Sequence, residues 1–366
     1  MIIKNIELTN FRNYDSQKLF FDKGINVLVG KNAQGKTNML EAIFLLTIGK
    51  SPRTTKEKEM IKWDCTYSKI TMEISKLAGN KKIEMFLFAN QNKAIKINSF
   101  SIKKIIELIG EVNAIYFSPD ELKLVKSSPE ERRRFLDITL CQLSKNYFYN
   151  INKYNRVLTQ RNKLLKSTKD YTLIDDTVSI WDEQLASLGS KIICERLELI
   201  ENLKKYITDI YRYISGKEDE LILDYIGYTT NNEYEIKQQL LTNLKNNIEK
   251  DTKLGYTSVG PHRDDLGISL SNVNVRSFGS QGEQRTVALC LKLAELEIFK
   301  EVTGEYPILL LDDVLSELDL DRQQKLLEKV KDIQTFITCT NFKFDIDCKK
   351  FNVSKGKIDE EIIYED

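Results

Sequence analysis

Val27-Leu28-Val29-Gly30-Lys31-Asn32-Ala33-Gln34-Gly35-Lys36-Thr37-Asn38-Met39-Leu40 is the stretch that decides how this chain is read. An apolar run over residues 25–29 stops at a glycine. Met39, Leu40, Ile43, Phe44 and Leu46 then follow at the spacing of a buried helix, so the order is strand, glycine loop, helix. In that setting Gly30 to Thr37 fits the pattern GxxxxGK[ST]. Gly30 and Gly35 let the backbone curl until its N–H groups face phosphates, with Lys31, Asn32, Ala33 and Gln34 forming the arch between them. Lys36 brings a point charge to the β- and γ-phosphates, and the Thr37 hydroxyl is a ligand for Mg²⁺. A glycine turn carrying a solvated lysine is the alternative, and the flanking strand and helix weigh against it. A nucleotide pocket is the expected reading, and the loop taken alone says only that a phosphate binds.

A P-loop needs an acidic partner at the end of a neighbouring strand, and Pro307-Ile308-Leu309-Leu310-Leu311-Asp312-Asp313 supplies one. Asp312 is expected to hold Mg²⁺ through water. Asp313 is a candidate general base for the attacking water, with helix capping as the structural alternative for both carboxylates.

Bulk composition bounds the rest. The 366 residues exceed one compact core, so a main domain and a second lobe are expected. With 55 basic and 54 acidic side chains, any nucleic-acid contact must rely on local patches. The single histidine, His262, removes Ser-His and Cys-His nucleophile schemes and multi-histidine metal sites. The six cysteines contain no CxxC pair and read as free thiols. No apolar run reaches bilayer length and the N-terminus lacks a leader pattern, so a cytoplasmic protein without membrane contact is expected.

Residues 2–29 read as strands, and residues 70–100 as an antiparallel set divided by Gly-Asn and Asn-Gln-Asn turns. Ser128-Pro129-Glu130-Glu131 has the composition of a capping box with proline at the first helical position. From there Leu136, Leu140, Leu143, Tyr147, Ile151, Tyr154, Leu158 and Leu165 keep a four-three spacing, broken where Arg161 takes an apolar slot, and predict one long helix. Polar residues 167–176 interrupt it. A second helix resumes from Trp181 to Tyr213, making an antiparallel hairpin whose aromatic residues read as packing. Short strands and a helix near 233–250 follow, then a helix over 281–302, a strand over 307–311, a helix over 321–332 and a last strand over 335–338.

Ser277-Phe278-Gly279-Ser280-Gln281-Gly282-Glu283-Gln284-Arg285 opens the helix over 281–302, and a helix start with a serine hydroxyl and glycine N–H groups is an anion site. These residues resemble the signature motif of the ABC-type ATPase superfamily, in the Ser-Gln-Gly-Glu-Gln-Arg form of the RecF family. The resemblance extends through Phe117-Ser118-Pro119-Asp120-Glu121-Leu122, Arg132-Arg133-Arg134-Phe135-Leu136-Asp137, Gly260-Pro261-His262-Arg263-Asp264-Asp265 and Lys292-Leu293-Ala294-Glu295, covering nearly the whole chain.

The resemblance implies an α/β fold: a P-loop ABC-type ATPase head with a mixed sheet and helices, carrying an inserted helical-hairpin arm. On that reading residues 1–125 are the N-terminal part of the head, 126–216 the arm, and 217–366 a lobe plus the C-terminal part of the head. It implies a homodimer in which Lys36, Thr37 and Asp312 of one subunit hold ATP and Mg²⁺ while Ser280 and Gly282 of the other contact the γ-phosphate, with Gln281 and Glu283 as further cofactor-binding residues of that signature. It further implies DNA as ligand, slow hydrolysis that releases the dimer, and RecR and RecO as partners. Arg12 falls where related heads place an arginine near the phosphates, and a solvated arginine is the competing reading. Ala33 stands where the family usually has glycine, and Asp313 where transporters have glutamate. A transporter subunit would carry Leu-Ser-Gly-Gly-Gln and a switch histidine, whereas Thr338-Cys339-Thr340-Asn341 has none. An SMC-like chromosome organiser would need far longer arms.

Overall fold

The computed structural model describes residues 1–120, 124–167, 170, 172 and 174–360. The chain divides into two compact units: Met1–Leu122, Tyr213–Gly216 and Lys292–Asp366 form the first, and Lys123–Arg212 and Lys217–Leu291 the second. Residues 217–291, which the sequence reading joined to the C-terminal part of the head, thus cluster with the helical segment.

In the first unit, β1 (Ile2–Phe11), β2 (Tyr14–Phe20), β4 (Tyr67–Lys76), β5 (Gly79–Phe88), β6 (Ala94–Ile97) and β7 (Phe100–Ile102) build an antiparallel sheet in the order β2-β1-β4-β5-β6-β7. Ile3, Ile6 and Leu8 on β1 and Ile70, Met72 and Ile74 on β4 are buried, as strands with one solvated face require. The second sheet has the order β15-β14-β3-β13-β12-β8, from β3 (Ile25–Val29), β8 (Ala114–Phe117), β12 (Ile308–Asp312), β13 (Thr335–Cys339), β14 (Cys348–Ser354) and β15 (Lys357–Glu360). β14, β3, β13, β12 and β8 run parallel, and β15 pairs antiparallel with β14. The apolar runs of β3 and β12 are therefore those of strands covered on both faces. Helix α1 (Lys36–Ile48) is buried all round from Met39 to Ile48 and stops at Gly49, whose φ of 69° closes the last turn.

The second unit contains α2 (Pro129–Leu143), α3 (Lys145–Ser167) and most of α4 (Asp175–Ser215), with β9 (Leu221–Ile226), α5 (Glu233–Asn246), α6 (Ile248–Leu254), β10 (Asp265–Leu270), β11 (Val273–Asn274) and α7 (Val275–Phe278). Helix α8 (Gln281–Thr303) begins here, and α9 (Leu320–Lys329) belongs to the first unit. The long helix expected from Pro129 to Leu165 is two helices. Ser144 takes φ −130° and ψ 113°, which closes α2, and its hydroxyl accepts the Tyr147 N–H at 3.0 Å to start α3. A serine side chain thus offers the backbone an alternative to continuing the helix, a choice invisible to the apolar spacing that runs across the break. Ser128 is the N-cap of α2 with Pro129 following, but its side chain makes no cap hydrogen bond, so the expected box is not formed there. Part of the 167–176 interruption lies outside the described residues, as do Glu121 and Leu122 of the Phe117–Leu122 motif.

The hairpin itself is as expected. Arg161 on α3 meets Asp182 on α4, and Tyr147, further back on α3, meets Arg196, further forward on α4, so the two helices run antiparallel. Tyr147, Tyr154 and Tyr211 are buried in the packing. All six cysteines are free. Among the described residues no helix is long and apolar enough to cross a membrane.

Candidate nucleotide site

The P-loop arches from the end of β3 to the start of α1. Gly30 is required because a Cβ there would lie 2.3 Å from the Val353 carbonyl oxygen, and Gly35 because its φ is +119°. Asn13 pins the arch by donating to the Gln34 carbonyl at 2.9 Å, and Tyr14 donates to the Gly35 carbonyl at 2.8 Å. Ala33, where the resemblance leads to an expectation of glycine, takes φ 65°. An L-residue in that left-handed region carries a strain of roughly 1–2 kcal/mol, which does not prevent the turn.

Lys36 is buried and donates to the Gly30 and Lys31 carbonyls at 2.6 and 3.0 Å, so its ammonium sits inside the loop it serves. Desolvation holds its pKa below the ordinary lysine value, partly offset by Asp313 and then by Cys339 and Asp312. Thr37 donates to Asp312 Oδ1 at 2.9 Å. The parallel pairing of β12 with β13 and of β13 with β3 carries Asp312 to the mouth of the P-loop. Asp312 Oδ1 also accepts from Thr338 Oγ1 at 2.7 Å, and Oδ2 from the Tyr116 hydroxyl at 2.7 Å.

Asp313 has φ 55°, so the chain turns sharply after β12. Burial raises its carboxyl pKa, the Lys36 charge opposes that, and Asp312 and Glu317 add to it. A cleft of 440 Å³ lies over these groups, lined among others by Ala33, Lys36, Thr37, Asp312, Asp313 and Arg53. One hydroxyl and one carboxylate beside a phosphate-sized cleft fit Mg²⁺, which keeps waters and substrate phosphates in its shell rather than taking an all-protein cage. The described residues contain no group of three or more His, Cys, Asp or Glu side chains placed for a metal.

Arg12 is not left free to reach phosphate. Its Nε and Nη2 donate to the two oxygens of Glu41 at 2.8 and 2.6 Å, and Nη1 donates to the Glu59 carbonyl at 2.6 Å. Glu41 on α1 is fully buried and also accepts from Ser51 and, at 3.3 Å, from Arg53. The donors of Arg12 are thus committed to Glu41 and the Glu59 carbonyl.

In the second unit, Ser280, Gln281 and Gly282 are exposed at the start of α8. Ser280 donates from its amide and hydroxyl to Glu283 Oε2 at 2.9 and 3.0 Å, and the Glu283 amide donates back to Ser280 Oγ at 3.3 Å. This reciprocal capping box, absent at Ser128, is formed here. Lys217 donates to Glu283 Oε1 at 2.7 Å, and hydrogen bonds from Lys217 and Ser280 pull the Glu283 pKa down to about 2. Glu283 therefore shapes the turn, while open space around Gly282 leaves its backbone accessible.

The remaining motifs lock to one another. Arg132 donates to both oxygens of Asp265 at 2.7 and 2.8 Å, Arg133 donates to the Asp264 carbonyl at 2.8 Å, and Arg134 pairs with Glu131 at 3.5 Å. His262 bonds Tyr154 through Nδ1 at 2.7 Å and the Thr257 carbonyl through Nε2 at 3.1 Å, the ordering role expected of it. The sequence reading misses Tyr116, Thr338, Asn13 and Arg53 as site residues. Only adjacency of β8 and β13 to β12 could have pointed to the first two.

Residues 2–352 match the family described as RecF/RecN/SMC N terminal domain. The DNA replication and repair protein RecF of Clostridium kluyveri is 48% identical over 363 residues, covering 98% of this chain and 99% of that protein. The chain belongs to the RecF family. A second RecF, from Clostridium novyi, is 45% identical over 365 residues, covering 98% of this chain and 100% of its own. The solved structure of the recombination mediator protein RecF-ATP in the RecFOR pathway matches with a TM-score of 0.91 at 39% identity, covering 98% of this chain and 97% of that one. An Smc head bound to the C-winged helix domain of ScpA matches at 15% identity with a TM-score of 0.58, so RecF and Smc heads share the fold.

Proposed function

We propose that this chain is an ATP-dependent DNA-binding protein of recombinational repair and replication-fork maintenance, active in the cytoplasm. The observation that carries the nucleotide reading is Thr37 placed 2.9 Å from Asp312 at the mouth of a P-loop whose lysine is held by the loop's own carbonyls. The amides from Gly30 to Lys36 cradle the phosphates of ATP, Lys36 moves from the loop carbonyls to the β- and γ-oxygens, and Thr37 and Asp312 face Mg²⁺. Bound Mg²⁺ would neutralise charge on the bridging phosphate oxygens. Asp313 orients the attacking water. That the related RecF structure carries ATP by its description supports the same ligand here.

The exposed Ser280–Gly282 turn fits the γ-phosphate of a nucleotide held by a second copy, making ATP the bond between two subunits. Slow hydrolysis then sets the residence time on DNA, and RecR and RecO are the partners through which recombinase is loaded at gaps. The RecFOR context named for the solved relative supports that assignment.

The test is fluorescence anisotropy of a labelled duplex with ATP, ADP or no nucleotide, for the natural protein and Lys36→Met, with molar mass followed by light scattering. ATP-dependent binding by a dimer, lost in Lys36→Met, is the expected result. Nucleotide-indifferent binding by a monomer would overturn the clamp.

A further inference from the structure

Asp312 and Asp313 are adjacent in sequence yet face different tasks, and one buried hydroxyl touches both. Thr338 is fully buried at the end of β13. Its Oγ1 donates to Asp312 Oδ1 at 2.7 Å and accepts the Asp313 N–H at 2.9 Å. A hydroxyl has one proton to give, and here it goes to the carboxylate, which leaves lone pairs for the amide, so both bonds hold at once. Asp313 needs such a hold because its φ of 55° is one that a non-glycine residue leaves unless its surroundings prevent it. The second oxygen of Asp312 is taken by the buried Tyr116 hydroxyl from β8.

Of the three hydroxyls on Asp312, the Thr37 hydroxyl is the one the P-loop turns toward a bound metal. Once it does so, Thr338 and Tyr116 remain as the two donors that keep the carboxylate from rotating.

We propose that Thr338 is the positioning residue of this site, yoking the metal-facing carboxylate of Asp312 to the backbone of Asp313, with Tyr116 as the second brace. This rests on the ATP–Mg²⁺ reading above. The yoke makes the placement of the water-orienting aspartate depend on the placement of the metal carboxylate, since a shift of either moves the hydroxyl they share. Partners that orient a metal ligand are worth roughly 10–100-fold in metal affinity or activity when removed.

The experiment titrates Mg²⁺ against binding of a fluorescent ATP analogue and against single-turnover hydrolysis, for the natural protein, Thr338→Val, Thr338→Ser and Tyr116→Phe. Thermal unfolding is recorded alongside, and nucleotide affinity is also measured in EDTA. In Thr338→Val the Mg²⁺ needed for half-maximal tightening should rise roughly tenfold or more, with affinity in EDTA unchanged. Thr338→Ser, which keeps the hydroxyl, should restore the natural value. Tyr116→Phe should raise the Mg²⁺ requirement while leaving Asp313 held, and it stands in if Thr338→Val does not fold.

A lowered melting temperature with an unchanged Mg²⁺ requirement in Thr338→Val, or in Tyr116→Phe should it stand in, would reduce the hydroxyls to structural groups and overturn the proposal. Failure of the natural protein to bind the analogue at any Mg²⁺ concentration would instead sink the nucleotide reading itself.

Discussion

Arg12 grips both oxygens of Glu41 in a fork, at 2.8 and 2.6 Å, and so ties the chain just after β1 to the interior of α1. Glu41 is fully buried while the Arg12 side chain is 17% exposed, so it is loss of the arginine that would leave an uncompensated buried charge. Arg12→Ala should therefore cost about 3–5 kcal/mol in urea unfolding. Arg12→Lys keeps the charge and loses the fork, and should destabilise while nucleotide affinity changes little. A large loss of ATP affinity with intact stability would return Arg12 to the phosphates.

Ala33 offers a gain. Replacing it by glycine relieves about 1–2 kcal/mol of left-handed strain against about 0.5–1 kcal/mol of added chain entropy. Ala33→Gly should raise unfolding stability slightly, by about 0.5–1 kcal/mol, without weakening ATP binding. A fall in stability would show that the loop relaxes from its φ of 65° in solution.

Arg161 interrupts an otherwise apolar stripe, and pattern alone would make leucine the better residue. The structure says otherwise: Arg161 is fully buried and donates to Asp182 at 2.5 Å, to Asp251 at 2.8 Å and to Thr257 at 2.9 Å. Arg161→Leu restores the spacing but strands the Asp251 carboxylate without exposure, so calorimetry should show a loss of about 3 kcal/mol or more. A stabilised variant would mean that the helix seam dominates the ionic cluster.

Burial pushes the His262 imidazole down to about 4, below its ordinary 6.5. The unfolded chain then takes up a proton that the folded one refuses between those values, so this group's contribution is complete above pH 6.5 and is lost as pH falls toward 4. Asp264, raised to about 6 chiefly by burial, acts in the opposite direction over nearly the same range. A difference measurement separates them. The stability gap between the natural protein and His262→Gln should narrow by about 2 kcal/mol from pH 7 to pH 4, once screening at the partly buried ring is allowed for. A gap independent of pH would show the ring to be solvated.

Where local chemistry decides, the chain could be read directly. GxxxxGK[ST] between an apolar run and a helix places Lys36 and Thr37 in the same way wherever it occurs, because glycine freedom and helix-start donors are properties of those residues alone. The same holds for β12 ending in Asp312 and for the helix starting at Ser280.

Ser128 and Ser144 mark the limit of such reading. Both are serines at a helix start, yet the Ser144 hydroxyl accepts a backbone N–H and the Ser128 side chain makes no cap hydrogen bond, a difference that no spacing contains. Arg12 likewise looked available until the fold put a buried carboxylate within its reach.

The sequence by itself determined the P-loop, the acidic strand end, the antiparallel arm and the family, because each rests on residue types at short range. Only the tertiary structure decided that Thr338 and Tyr116 hold Asp312, that Arg161 and Arg12 are consumed by buried acids, and that 217–291 cluster with the arm. Those outcomes depend on which strands become neighbours and on where desolvation forces a charge to find its partner, and both are settled by packing between residues far apart in the chain.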